Sequence, residues 1–276
     1  MRKLKGRVVM ITGASSGIGK ACALAFAREG CDLVICARRQ KELDEVAEQI
    51  KAMGRKVLAM TVDVAKENDV KKLAEAAFKQ FGKVDIAMSN AGIAMPAETH
   101  KLEKSDWEKV MNTNFYGCVH VVRYFVAPMV ERREGHLLVN SSGWGLMGGP
   151  FNTLYVTSKH ALIGYSESLR AEIAQYNVGV TTLAAGYIKT DIFTKAELKG
   201  FKSSVGDGVN NLLGKMPGPT PESFAKKVVR AVKWNRGLRV MTIDSKVMWY
   251  FKRAFPRTFE WFLAIFARFS NRFLDK

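Results

Sequence analysis

Short apolar runs alternate with amphipathic stretches from the first residues to about position 245, and this rhythm restricts the architectures open to the chain. Val8 to Ile11, Asp32 to Cys36, Lys56 to Val62, Val84 to Met88, His136 to Val139 and Val178 to Leu183 read as short buried strands. Between them, Gly17 to Arg28, Lys41 to Met53, Asp69 to Phe81, Trp107 to Val130 and Thr153 to Tyr176 have helical periodicity. Strand, helix, strand at this spacing implies right-handed crossovers and a parallel sheet covered on both faces. The expected fold is therefore α/β and doubly wound. With 276 residues and 47% apolar content, one domain with a large core is sufficient, and collagen-like, disordered and small disulfide-stapled classes are excluded.

The first strand runs into Thr12-Gly-Ala-Ser-Ser-Gly-Ile-Gly19, which opens the first helix. In this context glycines let backbone N–H groups and a helix N-terminus approach a pyrophosphate, so a Rossmann-type nucleotide site is expected over Gly13, Ser15, Ser16, Gly17, Ile18 and Gly19. An acidic residue at the end of the second strand would hold the ribose 2′-hydroxyl of NAD. The chain instead has Ala37-Arg38-Arg39, and two guanidiniums suit a 2′-phosphate. Arg38 and Arg39 thus predict NADPH/NADP+ as the cofactor, the alternative being a solvated charge pair at a helix start.

Tyr155 and Lys159 lie four residues apart on one helical face, which lets the ammonium lie beneath the phenol. Ser142 stands thirteen residues before the tyrosine, just past the fifth strand, where an open α/β sheet has its crevice. Hydride addition to a ketone leaves negative charge on oxygen, so such a site needs a donor there and a proton source. Lys159 as a neighbouring cation is expected to lower the phenol's pKa. Each residue also has a plain structural reading: Ser142 ending a strand, Asn114 bonding backbone at a helix kink, Tyr155 filling the core. Their joint spacing argues against packing alone.

Together these residues resemble the short-chain dehydrogenase/reductase family over roughly residues 5 to 245. The markers, in order, are the glycine loop, Asp63-Val64, Asn90-Ala91-Gly92, Asn114-Phe-Tyr-Gly117, Ser142, Tyr155-x-x-x-Lys159 and Gly186-Tyr-Ile188-Lys-Thr190. The resemblance implies that Asp63 and Val64 border the adenine and that Asn90, Ala91 and Gly92 line the cofactor cleft. Gly186, Ile188 and Thr190 would meet the nicotinamide end. Tyr155 would be the general acid in reduction and Ser142 would hold the substrate carbonyl. Lys159 would bind the nicotinamide ribose, and Asn114 would support a water that relays protons. Ser89, where a second asparagine is common, and Ala185, where a proline usually precedes the glycine, depart from the family pattern.

Residues 1–245 are expected to form the catalytic domain, with 191–220 as a lid rich in glycine and proline. Trp144, Met147 and Phe151, together with Phe193 and Phe201 in the lid, suggest an apolar substrate: an acyl, steroid, terpenoid or sphingoid-like ketone, or the corresponding alcohol. Packing of these aromatics against one another is the competing reading. Cys22, Cys31, Cys36 and Cys118 form no Cys-x-x-Cys pair and are expected to be buried thiols, with no metal site. Met1 to Arg7 leads straight into a strand, too short for a signal sequence, so a cytoplasmic location is expected.

The chain carries a formal charge of +17, and residues 221–276 hold thirteen Lys and Arg against four Asp and Glu. Arg239 to Ile243 reads as a last strand, followed by a basic, aromatic helical tail over 246–276. On a wheel, Phe259, Trp261, Phe262, Leu263, Ile265, Phe266 and Phe269 cover roughly 200°. The apolar run is far shorter than a membrane span, so the tail is expected either to lie on an anionic membrane surface or to pack in a homodimer or homotetramer interface. No nucleic-acid module accompanies the charge. The alternative to an enzyme is a nucleotide-sensing or membrane-associated protein without turnover; the complete Asn/Ser/Tyr/Lys set argues against it.

Overall fold

The structure, a computed structural model, describes residues 2–190, 192, 196–201 and 218–270. Seven parallel strands form one sheet in the order β3-β2-β1-β4-β5-β6-β7. They are β1 (Val8–Thr12), β2 (Asp32–Ala37), β3 (Val57–Thr61), β4 (Ile86–Ser89), β5 (Gly135–Asn140), β6 (Val178–Ala184) and β7 (Leu238–Val240). The connecting helices are α1 (Gly17–Arg28), α2 (Gln40–Ala52), α3 (Glu67–Phe81), α4 (Lys104–Met111), α5 (Gly117–Glu131), α6 (Thr153–Ile173) and α7 (Pro221–Lys233). Two further helices, α8 (Ile243–Ala254) and α9 (Pro256–Ser270), follow β7.

Alternation along the strands divides the core in two. Val9, Ile11, Leu33, Ile35, Ile86 and Leu183 face α1, α2 and α7, whereas Val8, Met10, Val34, Leu137, Val139 and Val180 face α3, α5 and α6. Every residue of β1 and β6 is buried, as a parallel sheet sandwiched between helices requires. The four cysteines are free and buried, and burial pushes the thiols of Cys36 and Cys118 up to about 12 and about 11. They are inert packing groups. Strand order reverses between β1 and β4, which opens the crevice at the carboxyl ends where the glycine loop and Ser142 lie.

Three sequence expectations change. The helix expected from Trp107 to Val130 is broken by a π-helical turn, Asn112–Tyr116, which carries Asn114 into the interior. The strand expected from Arg239 to Ile243 stops at Val240, because Thr242 is the extended N-cap of α8. Helix α7 was not anticipated. Its signals are a Thr220 cap that accepts from Ser223 N, Pro221 in the first turn, and an inward face of Phe224, Ala225, Val228, Val229 and Val232. Most of the expected lid, Phe193 included, lies outside the described residues; Lys199 bridges to Ala97 within the part that is described.

Phe224 is fully buried against the α1 side of the core. Phe224→Ala is expected to cost about 3–5 kcal/mol of unfolding free energy, measured by urea denaturation. A loss below about 1 kcal/mol would show that α7 is not part of the core.

Candidate active site

The glycine loop is shaped by steric necessity. Gly13 and Gly17 have φ of +66° and +54°, and a Cβ on Gly19 would lie 2.2 Å from the Gly13 carbonyl oxygen. That close approach seats the start of α1 against the loop. The Ser16 side chain does not cap α1, and the first turn holds no acidic residue. The first-turn N–H groups therefore have no anionic side chain competing for them, and a pyrophosphate fits there. The Thr190 methyl would stand 3.4 Å from a Cβ on Gly17, which brings the Gly186 to Thr190 segment to the same loop.

At the end of β2, Arg38 is exposed and Arg39 turns back onto the loop. Arg39 donates to Ser15 Oγ at 3.1 Å and Ser16 Oγ at 2.9 Å, and it pairs with Glu42 at 3.0 Å. Cationic nitrogen thus borders the cradle from the side where the adenine ribose lies in folds of this kind. Asp63 accepts from Ala65 N and Val64 is buried against Gly117, so both sit in the turn after β3.

A run of polar contacts ties β1 to the chemistry. Thr12 Oγ accepts from the N–H groups of Asn90 and Ala91, and the Asn90 amide donates to Thr12 O at 2.9 Å. Asn140 donates to Asn90 Oδ1 at 2.9 Å, and its carbonyl accepts from Lys159 Nζ at 3.0 Å. Asn114 clamps Ile93, accepting from its N–H and donating to its carbonyl and to Ser158 Oγ. Gly92 lies between the two: a Cβ there would stand 3.3 Å from Asn114 Oδ1 and 3.4 Å from Lys159 Nζ.

Ser142 lies at the head of a single helical turn, where its Oγ accepts from Trp144 N and donates to Ala185 O at 3.4 Å. Its side chain also draws the Tyr155 phenol toward ionisation. Lys159 Nζ stands 5.5 Å from the centre of the Tyr155 ring. Asn114, Ser142, Tyr155 and Lys159 are thus linked through one buried neighbourhood, Tyr155 being 4% and Lys159 2% exposed.

Burial controls the electrostatics. It pushes the Tyr155 phenol up to about 12 against the opposing influence of Ser142, and it lowers Lys159 to about 8. The expectation that Lys159 would lower the phenol is therefore corrected: two groups removed from water are each driven toward their neutral forms, and the influence that lowers Tyr155 is Ser142.

Trp144 packs under Gly149, Met147 is buried, and the rings of Phe151 and Phe201 meet edge to face at 5.8 Å. Phe151 and Phe201 thus pack on one another, as the competing reading has it. Sequence reasoning misses Asn140, which links Asn90 to Lys159. Asp244 was also overlooked; it accepts from Tyr187 N and supports the Gly186 segment. A hollow of about 380 Å³ lined by Glu167, Arg170 and Asn235 lies at the other end of α6 and has none of these groups.

Comparison with known proteins agrees with this arrangement. The short chain dehydrogenase family model matches residues 7–199. A Xenopus tropicalis protein, dehydrogenase/reductase SDR family member 7B, is 33% identical over 99% of this chain and 89% of its own length. The 11-beta-hydroxysteroid dehydrogenase A of Sesamum indicum is 33% identical over 93% of this chain and 74% of its own. A short-chain dehydrogenase/reductase from Burkholderia phymatum, solved with NAD, superposes with a TM-score of 0.85 at 25% identity, covering 92% of this chain and 95% of that one. The chain belongs to the short-chain dehydrogenase/reductase family. It is an oxidoreductase of the CH–OH/C=O class on a fold that binds a nicotinamide cofactor.

The lowered Lys159 gives a pH signature. An unfolded lysine titrates near 10.5 and the folded one near 8, so between these values the unfolded chain binds the extra proton and stability rises with pH. Below pH 8 both states are protonated and the folded state carries the full cost. Unfolding free energies of the intact chain and Lys159→Met, measured across pH 7 to 11, are expected to differ by an amount that shrinks from about pH 8 to 10.5; a pH-independent difference would refute a depressed Lys159.

Proposed function

We propose that the protein uses NADPH to reduce the ketone of a lipophilic substrate, or NADP+ to oxidise the corresponding secondary alcohol. The observation that carries this reading is the burial of Ser142, Tyr155 and Lys159 in one neighbourhood at the carboxyl edge of the sheet, with Lys159 Nζ 5.5 Å from the centre of the phenol ring. A bound nicotinamide supplies or accepts the hydride. The cofactor-binding assignments, Gly13 to Gly19, Arg38, Arg39, Asp63, Val64, Asn90 to Gly92, Tyr155, Lys159, Gly186, Ile188 and Thr190, belong to the same reading.

In reduction, Ser142 Oγ and the Tyr155 hydroxyl hold the substrate's carbonyl oxygen. As charge develops on that oxygen, Tyr155 releases its proton to it. Even a phenol raised by burial gives its proton downhill to an alkoxide, the stronger base. Ser142, the group that favours the ionised phenol, steadies the phenolate left behind, and Lys159 beneath the ring binds the ribose. The amide of Asn114 is already bonded to Ile93 and Ser158, so its support of a relay water falls to main-chain groups of the π turn.

NADPH is favoured because Arg38 is exposed and no carboxylate ends β2, although Glu42 neutralises part of Arg39. Trp144, Met147 and Phe151, joined by Phe201, favour an apolar substrate, with Phe193 assigned to the same wall from sequence. The sesame relative named for a hydroxysteroid, an apolar alcohol, supports that class. The reading includes a homodimer or homotetramer, as family members commonly self-associate.

With a panel of lipophilic ketones, Tyr155→Phe is expected to retain NADPH binding by fluorescence titration while kcat falls about 10²- to 10⁴-fold. Turnover within threefold of the intact chain would remove Tyr155 as the acid. Arg38→Asp is expected to weaken NADPH about 10- to 100-fold and shift preference toward NADH, since one charge-assisted bond contributes about 1.5–3 kcal/mol. An unchanged NADPH to NADH ratio would refute the 2′-phosphate assignment.

A further inference from the structure

We infer that α8 and α9 form a docking surface for an anionic bilayer, positioned against the wall of the substrate cleft. Both helices have one face packed on the protein and an exposed apolar stripe elsewhere. On α8, Ile243, Val247, Tyr250 and Ala254 are all exposed and recur at positions i, i+4, i+7 and i+11, which is one side of a helix. Ser245 on the opposite side is buried beside Gly143, and Lys252 Nζ donates to Leu146 O at 3.0 Å. On α9 the inward positions are Phe259, 2% exposed with its ring 6.1 Å from Phe251, and Leu263, which lies against Gly148.

The outward side of α9 carries Trp261, Phe262, Phe266 and Phe269, between 45% and 67% exposed, with Ile265 half-buried among them. At 100° per residue they cover about 140° of the helix. Scattered exposed apolar residues are ordinary, but so much aromatic surface on two consecutive helices is not.

Charge selects the occupant. Lys246 and Arg253 flank the α8 stripe on one side, within about 90° of its centre, and Arg257 and Arg268 flank the Trp261 edge of the α9 face. Over 243–270 five Lys and Arg face two acidic residues: Asp244, exposed on the other flank of the α8 stripe and accepting from Tyr187 N, and Glu260, which lies on the other side of α9 from the apolar arc. Apolar stripes bordered by cations match acyl chains beneath anionic headgroups. A second copy of this face would bring the same excess of cations to the same surface, which disfavours symmetric pairing. Among the described residues no helix is long and apolar enough to cross a membrane, so the helices would lie in the interface. Of the tail cations expected from sequence to meet anionic lipid, Lys252 turns inward onto Leu146 O and Arg272 lies outside the described residues.

The placement has a consequence for the site that rests on the proposed function. Lys252 and Leu263 both touch the 143–151 segment that follows Ser142 and carries Trp144, Met147 and Phe151. The docked face is thus the back of the substrate wall, so docking would bring the bilayer against the segment that carries Trp144, Met147 and Phe151.

The test is flotation of the full chain with phosphatidylcholine vesicles with and without phosphatidylserine, at low and high salt. Binding is expected only with phosphatidylserine at low salt. It should be lost in Trp261→Glu/Phe262→Glu and weakened about tenfold in Arg253→Glu/Arg257→Glu. Circular dichroism and thermal melts establish that the variants fold, and kcat/KM for a water-soluble carbonyl should stay unchanged. Absence of flotation at low salt would overturn the inference. So would equal binding to neutral vesicles, or conversion of an oligomer to a smaller species by the Trp261/Phe262 variant without any lipid binding. Flotation does not depend on turnover: a Tyr155→Phe chain should still bind vesicles, so an inactive protein that floats counts against the proposed reaction and supports this surface.

Discussion

Lys159 holds an ammonium where water hardly reaches, and the rest of the site is organised around that cost. Its nitrogen is bonded to the Asn140 carbonyl and lies beneath the Tyr155 ring. Asn140 in turn holds Asn90, which is fixed to Thr12 at the end of β1. The position of one cation is therefore set by three adjacent strands, β1, β4 and β5, whose register the buried apolar core maintains. An ammonium in such a place is stable only while those contacts hold, which makes the geometry of the phenol above it equally rigid.

The two ends of the crevice are built by different physics. At the nucleotide end, glycines let α1 approach the loop, and the uncapped helix N-terminus offers N–H groups to a phosphate. At the reaction end, side chains shed water and shift toward their neutral forms, with Ser142 opposing that shift on the phenol. Arg39 joins the first end to the ribose side by its bonds to Ser15 and Ser16. Ala185, the departure from the family's usual proline, contributes through its carbonyl, which accepts from Gly143 N and Ser142 Oγ. Any residue presents that carbonyl, so the substitution leaves the contact intact.

Much of this was legible in sequence because its causes are local. Central parallel strands are continuous apolar runs, the glycine loop follows a strand, and Tyr155 and Lys159 are one helical turn apart. What escaped has long-range causes. A kink at which Asn114 bonds backbone was open in sequence, but that the kink is a π turn at Asn112–Tyr116 and that the partner is Ile93 is not revealed by 3.6-residue periodicity. The role of Asn140 depends on β5 lying beside β4, and the direction of the Tyr155 shift depends on total burial. Helix α7 is a different case: its cap, proline and apolar face were all readable, but they were obscured by the basic charge of the same segment. The exposed half of the tail was visible as a wheel, whereas its docking through Lys252 and Leu263 onto the Ser142 loop required the fold.

The central claim is that the phenol of residue 155 carries the proton transferred to or from the substrate oxygen. The most direct measurement replaces Tyr155 with fluorinated tyrosines of increasing acidity and records kcat/KM against pH. If the phenol is the acid or base, the limb of the profile that reports it moves to lower pH in step with the acidity of the analogue. A limb that stays in place while the analogues fold and bind nucleotide would contradict the account.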